Sequence, residues 1–233
     1  MKQTGILLLH GFGGCADEIA PLGRRLEERG YRVAMPLLAG HGAGNREMAR
    51  ASVADWIASA DAAYRDLASK SAHVAVIGFS MGGLVAVNLY VQRRFAALVT
   101  LNAPMWFWNW PQIVKNLRTE WKVYRKKYLG AFSGNPPRAL LSFLRLLFAT
   151  RPLFDMVDCP ALIVQMDDDD TVPPKSAGYL EKHFTGKTTV VRYPDGGHLA
   201  AHSRHIDAMA QEIDAFLSNL EENGENMEHS LEN

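Results

Sequence analysis

The feature that most constrains the fold is a serine with a glycine two residues to either side, in the segment Gly78–Gly82 (GFSMG). The apolar run His73–Ile77 before it predicts a short buried strand, and the run Leu84–Tyr90 after it predicts a buried helix. A sharp strand-to-helix turn needs glycine at the flanking positions, because side chains there would collide with the strand and the helix. The pattern therefore predicts a strained turn that lifts the Ser80 hydroxyl clear of the backbone, as in a nucleophile elbow.

Strands and helices alternate through most of the chain. Apolar runs predict five more strands: Gly5–Leu9, Tyr31–Met35, Ala96–Leu101, Ala161–Gln165 and Thr188–Tyr193. Strands that alternate with helices form a mostly parallel sheet with helices on both faces, so the predicted fold class is α/β. We expect residues 1–104 and 158–220 to form this core, 105–157 to form a helical insertion, and the polar, acidic segment 221–233 to be disordered. The insertion is expected to break at Gly130 and at Asn135–Pro137.

Composition argues against several classes of function and location. The chain has 233 residues, enough for one domain with a large core. Lys+Arg and Asp+Glu both number 25, and this zero net charge argues against a nucleic-acid partner and against a general attraction to membranes. No apolar stretch has the length of a membrane span, and Ile6–Leu9 is too short for a signal-peptide core. Cys15 and Cys159 do not make a disulfide framework, which favours a cytoplasmic location.

A histidine on a late loop is expected to act as the base for Ser80. A serine hydroxyl is a weak nucleophile until a base removes its proton, and the elbow motif takes its partners in the order serine, acid, histidine. His198 is favoured, because it directly follows a predicted strand and two glycines, and loops after parallel strands meet at one edge of the sheet. His202 is the alternative, although it and His205 also suit surface or packing roles.

The acid that orients this histidine is expected in the run Asp167–Asp170. Asp169 is favoured, because Val172 and Pro173 anchor the loop as it turns into the next helix. Asp168 and Asp170 stay open as alternatives. Four consecutive aspartates also suggest a metal site, but no matching ligands occur at calcium-loop spacing, so we expect no metal.

Two backbone N–H groups are expected to form an oxyanion hole. One belongs to Met81, the residue after the candidate nucleophile, and the other to Phe12, in the glycine-rich loop after the first strand. We expect the His10 side chain to hold this loop by hydrogen bonds, and Cys15 to have a packing role.

The chain resembles the α/β-hydrolase superfamily. The resemblance rests on the following residues and segments: His10–Gly11, Gly78–Gly83, Asp169 with Val172, and Gly197–His198. Leu9–Gly14, Gly40–Gly42, Ala103–Met105 and Val164–Gln165 more narrowly resemble small bacterial carboxylesterases and bacterial monoacylglycerol lipases. The chain departs from many relatives at Met166, where they have glycine, and in its four-aspartate run.

This resemblance implies a carboxylesterase that hydrolyses short- to medium-chain acyl esters through an acyl-enzyme on Ser80, with a small-molecule ester as its partner. Such an enzyme needs no cofactor, no metal and no stable membrane insertion. A monoacylglycerol lipase with the same mechanism is the runner-up, ahead of a thioesterase or acyltransferase. A non-catalytic ligand-binding protein with the hydrolase fold is the alternative from a different class. The sequence does not indicate the oligomeric state.

The insertion 105–157, which we call the lid, is rich in aromatic and basic residues. Trp106, Phe107, Trp108 and Trp110 are too crowded for one helical face. The tryptophans either line a cleft for an acyl chain or pack inside the lid. The basic residues predict a solvated helix face or, as an alternative, a weak attraction to anionic substrates or lipid surfaces: Lys115, Arg118, Lys122, Arg125, Lys126 and Lys127.

Overall fold

Six strands form one sheet in the order β2-β1-β3-β4-β5-β6, and each neighbouring pair is parallel. The computed structural model describes residues 2–106, 108–133 and 135–231, without the side chains of 129–133 and 221–231. The strands are β1 (Thr4–Leu9), β2 (Arg32–Ala34), β3 (His73–Phe79), β4 (Ala97–Leu101), β5 (Ala161–Met166) and β6 (Thr188–Tyr193). This parallel sheet confirms the predicted α/β class. The prediction is possible because buried parallel strands are recognisable in sequence as continuous apolar runs.

Helices cover both faces of the sheet, where two hydrophobic clusters form the core. The helices outside the lid are α1 (Ala20–Glu27), α2 (Asn45–Arg50), α3 (Val53–Ala68), α4 (Met81–Arg93), α8 (Lys175–His183) and α9 (Ile206–Leu231). Alternate residues of β1 face opposite ways. Leu7 and Leu9 join the cluster that contains α3 and α4, whereas Ile6 and Leu8 join the cluster that contains α1 and α9. At the start of α3, Ser52 and Asp55 form a capping box.

The lid contains the helices α5 (Trp110–Thr119), α6 (Trp121–Ser133) and α7 (Pro137–Thr150). The expected break at 135–137 separates α6 from α7, but the expected break at Gly130 is wrong. A glycine inside a helix costs only about 1 kcal/mol, so α6 continues through it. The additional break lies at Glu120, whose backbone leaves the helical region at φ −140° and ψ 67°. α7 packs against α2, α3 and α4, whereas α5 and α6 pack mainly against each other.

The C-terminal helix differs from the sequence expectation. The sequence predicts disorder for residues 221–233, but α9 continues to Leu231, and residues 232–233 lie outside the described residues. Extending an existing helix is far less costly than starting one, and Glu, Met and Leu in this segment favour the helix. Although α9 has 26 residues, neither it nor any other helix of the described ranges is long and apolar enough to cross a membrane.

Candidate active site

Ser80 lies at the turn between β3 and α4 with φ 50° and ψ −120°, a region that residues other than glycine rarely occupy. A side chain at Gly78 would collide with the backbone of Gly82 and Gly83. A side chain at Gly82 would collide with the carbonyl of Leu9 at the end of β1. The glycines therefore allow the strand and the helix to meet at a strained serine, which agrees with the expectation from the sequence.

The side chains of Ser80, His198 and Asp169 form a continuous hydrogen-bonded row. Ser80 Oγ lies 3.0 Å from His198 Nε2, and Asp169 Oδ2 lies 2.8 Å from His198 Nδ1. Asp169 is 0 % exposed. Its other oxygen, Oδ1, accepts hydrogen bonds from the backbone N–H groups of Thr171 (2.8 Å) and Val172 (2.9 Å). These two bonds fix the carboxylate, so that Oδ2 points at the imidazole.

The charges around His198 favour its protonated form. Burial by itself lowers the pKa of His198, but the carboxylate of Asp169, with smaller contributions from Asp170 and Glu18, outweighs burial and raises this pKa above its ordinary value. Such an imidazole can accept a proton from the Ser80 hydroxyl, and the carboxylate beside it stabilises the resulting cation.

Asn102, which sequence reasoning missed, fixes the loop that carries His198. It is fully buried, and its φ of 47° lies in the left-handed region. Its amide nitrogen donates to the carbonyls of Gly197 (3.1 Å) and His198 (2.9 Å), and its Oδ1 accepts from the backbone N–H of Met166 (2.8 Å). Its position directly after β4, at the carboxyl edge of the sheet, was the available signal.

The other three aspartates of the run have different partners. Asp167 pairs with Arg192 on the surface, at 2.5 Å. Asp168 accepts a hydrogen bond from the backbone N–H of Gly197 (2.7 Å), so it also holds the His198 loop. Asp170 is turned toward the lid, where it accepts hydrogen bonds from side chains of α5 and α6. The geometry therefore favours Asp169 over Asp168 and Asp170 as the partner of the imidazole.

The remaining candidate histidines lie in other interactions. His202 Nε2 lies 2.9 Å from the carbonyl oxygen of Asp17. His205 Nε2 lies 2.8 Å from Asp195 Oδ1, and its ring stacks on Tyr193. The structure thus brings His198, and not His202 or His205, next to Ser80.

The loop after β1 lies against the first turn of α4. The closeness of Gly82 to the carbonyls of Leu9 and His10 places this loop beside the turn at Ser80. Met81 is the first residue of α4, and the first N–H groups of a helix have no partner within it. The Phe12 ring packs against Phe143 of α7, with 5.1 Å between ring centroids. The two expected oxyanion donors therefore belong to adjacent pieces of backbone.

Two side chains hold this glycine-rich loop in place. His10 Nδ1 lies 2.9 Å from the carbonyl of Gly11, and its Nε2 accepts from the backbone N–H of Leu38 (3.1 Å). Burial lowers the pKa of His10 to about 4, so the ring is neutral and structural. Glu18, which sequence reasoning missed, accepts a hydrogen bond from the backbone N–H of Gly11 (3.2 Å), and burial raises the pKa of this carboxyl.

The lid tryptophans have three different environments. Trp106 is half-buried and packs edge-on against Tyr179 of α8, at 5.4 Å. Trp108, with φ 71°, donates its backbone N–H to the carbonyl of Thr171 (2.7 Å) and stacks on Trp110. Trp110 is 61 % exposed. Phe107 lies outside the described residues. Trp106 thus packs against α8, and a role of the three tryptophans in substrate binding stays a prediction.

Residues 6–212 match the alpha/beta hydrolase family. The chain belongs to this family. It is 30 % identical to a thermostable monoacylglycerol lipase of Bacillus sp. (strain H-257) over 209 residues, which cover 84 % of this chain and 83 % of the lipase. It is 26 % identical to a carboxylesterase of Bacillus subtilis (strain 168) over 219 residues, which cover 89 % of each chain. Both of these relatives are thus ester-cleaving hydrolases by name.

Solved structures share the fold of this alpha/beta hydrolase. A structure described with the metagenome-derived lipolytic enzymes LipS and LipT superposes with a TM-score of 0.78 at 24 % identity, covering 94 % of each chain. Est1E of Butyrivibrio proteoclasticus with bound ferulic acid gives a TM-score of 0.66 at 19 % identity, covering 94 % of this chain and 90 % of Est1E. Within the described ranges, no group of three or more His, Cys, Asp or Glu side chains is placed to hold a metal ion.

Proposed function

We propose that this alpha/beta hydrolase is a carboxylic ester hydrolase that acts through Ser80, His198 and Asp169. The observation that carries the proposal is the hydrogen-bonded row from Ser80 Oγ to His198 Nε2 (3.0 Å) and from His198 Nδ1 to Asp169 Oδ2 (2.8 Å). In this arrangement Nε2 of the neutral His198 ring accepts the proton of Ser80, while the N–H group at Nδ1 donates to the buried carboxylate of Asp169.

In the first half of the reaction the acyl group is transferred to the enzyme. Ser80 Oγ attacks the ester carbonyl carbon as its proton moves to His198 Nε2, and the carbonyl oxygen takes up the negative charge. The backbone N–H groups of Phe12 and Met81 stabilise this oxyanion. The carbon–oxygen bond to the alcohol then breaks, and His198 gives its proton to the departing alcohol oxygen.

In the second half a water molecule takes the place of the alcohol. His198 accepts a proton from the water as its oxygen attacks the acyl carbon. The bond to Ser80 Oγ breaks, the proton returns to that oxygen, and the carboxylic acid leaves. The carboxylate of Asp169 stabilises the imidazolium that forms in both halves.

The favoured substrates are short- to medium-chain acyl esters, as for a carboxylesterase. A monoacylglycerol lipase is the second candidate, because the relative with that name is 30 % identical over 84 % of this chain. The exposed apolar side chains of α5 and α6, among them Trp110 and Trp121, also suit a substrate that is partly apolar. Both candidates use the same chemistry and differ only in what the lid admits.

Replacing Ser80 tests the proposed chemistry directly. We expect Ser80→Ala to abolish hydrolysis of p-nitrophenyl butyrate while its thermal unfolding stays cooperative. Ser69→Ala, at an exposed serine after α3, is the matched control and should retain full activity. Unchanged turnover in Ser80→Ala would exclude the mechanism. A serine-directed fluorophosphonate should add its mass at Ser80, and a protein that binds esters without labelling would instead be a non-catalytic binder.

A panel of p-nitrophenyl esters from acetate to palmitate, together with a monoacylglycerol, separates the two candidate substrates. A carboxylesterase should have its highest kcat/KM on chains of short to medium length. A maximum on the monoacylglycerol would instead favour the lipase.

A further inference from the structure

The carboxylate of Asp170 is buried among donors from two lid helices. Asp170 directly follows Asp169 in the chain and is only 3 % exposed. Oδ2 accepts hydrogen bonds from Lys127 Nζ (2.7 Å) and the Tyr128 hydroxyl (2.8 Å), both on α6. The amide of Asn116 on α5 donates to the same oxygen (3.2 Å) and to the Tyr128 hydroxyl (3.0 Å). One carboxylate oxygen therefore joins α5 and α6 to the loop after β5.

The chain entering the lid is tied to the same loop. The backbone N–H of Trp108 donates to the carbonyl of Thr171 (2.7 Å), and that of Asn109 donates to the carbonyl of Asp170 (3.1 Å). The Asn109 side chain also donates to the carbonyl of Asp169 (2.8 Å). The start of α5 is thus fixed to residues 169–171, the first of which is the proposed catalytic acid.

The two parts of the lid are attached to the core by different forces. α7 buries apolar side chains, including Phe143 and Leu146, against the cluster that contains α4. Among the residues that the structure describes, the α5–α6 pair makes few contacts with the core helices and leaves large apolar side chains exposed: Trp110, Val114, Trp121 and Val123. Of the described side chains of this pair, only Ile113 and Tyr128 are buried. The position of the pair therefore depends on the polar attachment at Asp170 together with the hydrogen bonds of Trp108 and Asn109.

The charge balance supports an ionised Asp170 in this attachment. Burial by itself raises the pKa of Asp170, but hydrogen bonds from Lys127 and Tyr128 outweigh it and hold the pKa below its ordinary value. Lys127 Nζ and Asp170 form an ion pair at 2.7 Å, half-exposed on the lysine side. A neutral residue at this position would leave the lysine ammonium without its charged partner.

We propose that Asp170 is a positioning residue that latches the α5–α6 pair to the loop of the proposed catalytic acid and thereby sets how well long acyl chains are bound. This inference rests on the proposed function. A short acyl group stays beside Ser80, whereas a long one extends beyond it and needs apolar cover from the lid. Displacing the pair should therefore penalise long esters more than short ones, and should act on KM more than on kcat.

The selectivity test compares Asp170→Asn with Asp167→Asn, which removes the same charge from an exposed ion pair in the same loop. We expect the ratio of kcat/KM on the decanoate ester to that on the acetate ester to fall about tenfold in Asp170→Asn, the scale of a lost charged hydrogen bond, and to stay unchanged in Asp167→Asn. Tyr128→Phe deletes one donor from the opposite side and should shift the ratio in the same direction. It also provides the test if Asp170→Asn does not fold. Equal losses on both esters in these variants would overturn the proposal.

The structural test does not depend on catalysis. In Ser80→Ala protein, adding Asp170→Asn should speed amide hydrogen exchange in residues 110–128 and leave the exchange of α7 and the sheet unchanged. Adding Asp167→Asn should leave the exchange of all these segments unchanged. If wild-type protein cleaves no ester, the proposed function fails while this exchange experiment still decides on the latch. Exchange in 110–128 that is the same in both variants would overturn the latch and leave the proposed function intact.

Discussion

Asp169→Asn is the most informative single change, because the surrounding hydrogen bonds dictate how the new amide must lie. The backbone N–H groups of Thr171 and Val172 point at Oδ1, so the amide oxygen must take that place. The amide NH₂ then replaces Oδ2, 2.8 Å from His198 Nδ1. It donates to that nitrogen, so the imidazole proton is forced onto Nε2, where it faces Ser80 Oγ and blocks proton transfer.

The structure also gives the scale of the effect. The opposite amide orientation would lose two backbone hydrogen bonds of about 1 kcal/mol each and would place the NH₂ group against two N–H groups. This orientation is therefore disfavoured. The variant in addition lacks the negative charge that stabilises the imidazolium of His198. In serine proteases the same replacement lowers kcat about 10⁴-fold, and we expect a loss of that order here, which corresponds to roughly 5.4 kcal/mol.

The assay is kcat/KM on p-nitrophenyl butyrate, with Asp168→Asn as the matched control. Asp168 accepts one backbone hydrogen bond, from Gly197, and an asparagine oxygen can accept the same bond. This control should therefore stay within about tenfold of wild type. An Asp169→Asn variant that also stays within tenfold, or an Asp168→Asn variant that loses as much, would refute the assignment of Asp169.

Three further predictions concern the same site. Because neutral His198 is the active form and its pKa is raised, kcat/KM should fall as the pH drops through a value above 6.5. Glu18→Gln removes a negative charge that favours the protonated imidazole, so it should shift this acidic limb of the pH profile to lower pH; an unshifted limb would show that Glu18 does not act on His198. Ser80→Gly should relieve the strain of a serine at φ 50°, raising Tm by about 2–4 °C in calorimetry while abolishing activity, whereas a lower Tm would argue against strain. Asn102→Leu removes both donors to the His198 loop and should lower kcat by about 10–100-fold with little change in KM, so a loss confined to KM would contradict this positioning role.

The sheet and the elbow could be predicted because their signals are local in sequence. A parallel strand covered on both faces must be apolar along its length, and the turn at Ser80 must have glycine where backbone segments touch. Neither requirement depends on the rest of the chain. The helix boundaries of the lid have weaker local signals in the sequence. A glycine at position 130 is tolerated inside α6, and the break at Glu120 is not marked by a glycine or a proline.

The supporting residues of the site could not be predicted because their roles arise from contacts between distant loops. Asn102 binds carbonyls that lie 95 and 96 positions later in the chain. Glu18 is an ordinary helix-proximal glutamate in sequence, and only the folded loop places it on the N–H of Gly11. Periodicity and motif spacing report the residues of one element, whereas these contacts depend on which strand ends become neighbours at the carboxyl edge of the sheet.

The run Asp167–Asp170 illustrates the same limit within four residues. In sequence the four carboxylates are equivalent, and only the favoured spacing to Val172 distinguishes Asp169. Once β5 ends at Met166, the turn directs them four ways: toward Arg192 on the surface, the His198 loop, the imidazole and the lid. Identical side chains thus separate into a surface pair, a loop brace, a proposed catalytic acid and a proposed latch. Exchanging each for asparagine in turn changes charge equally, so differences among the four variants report position alone.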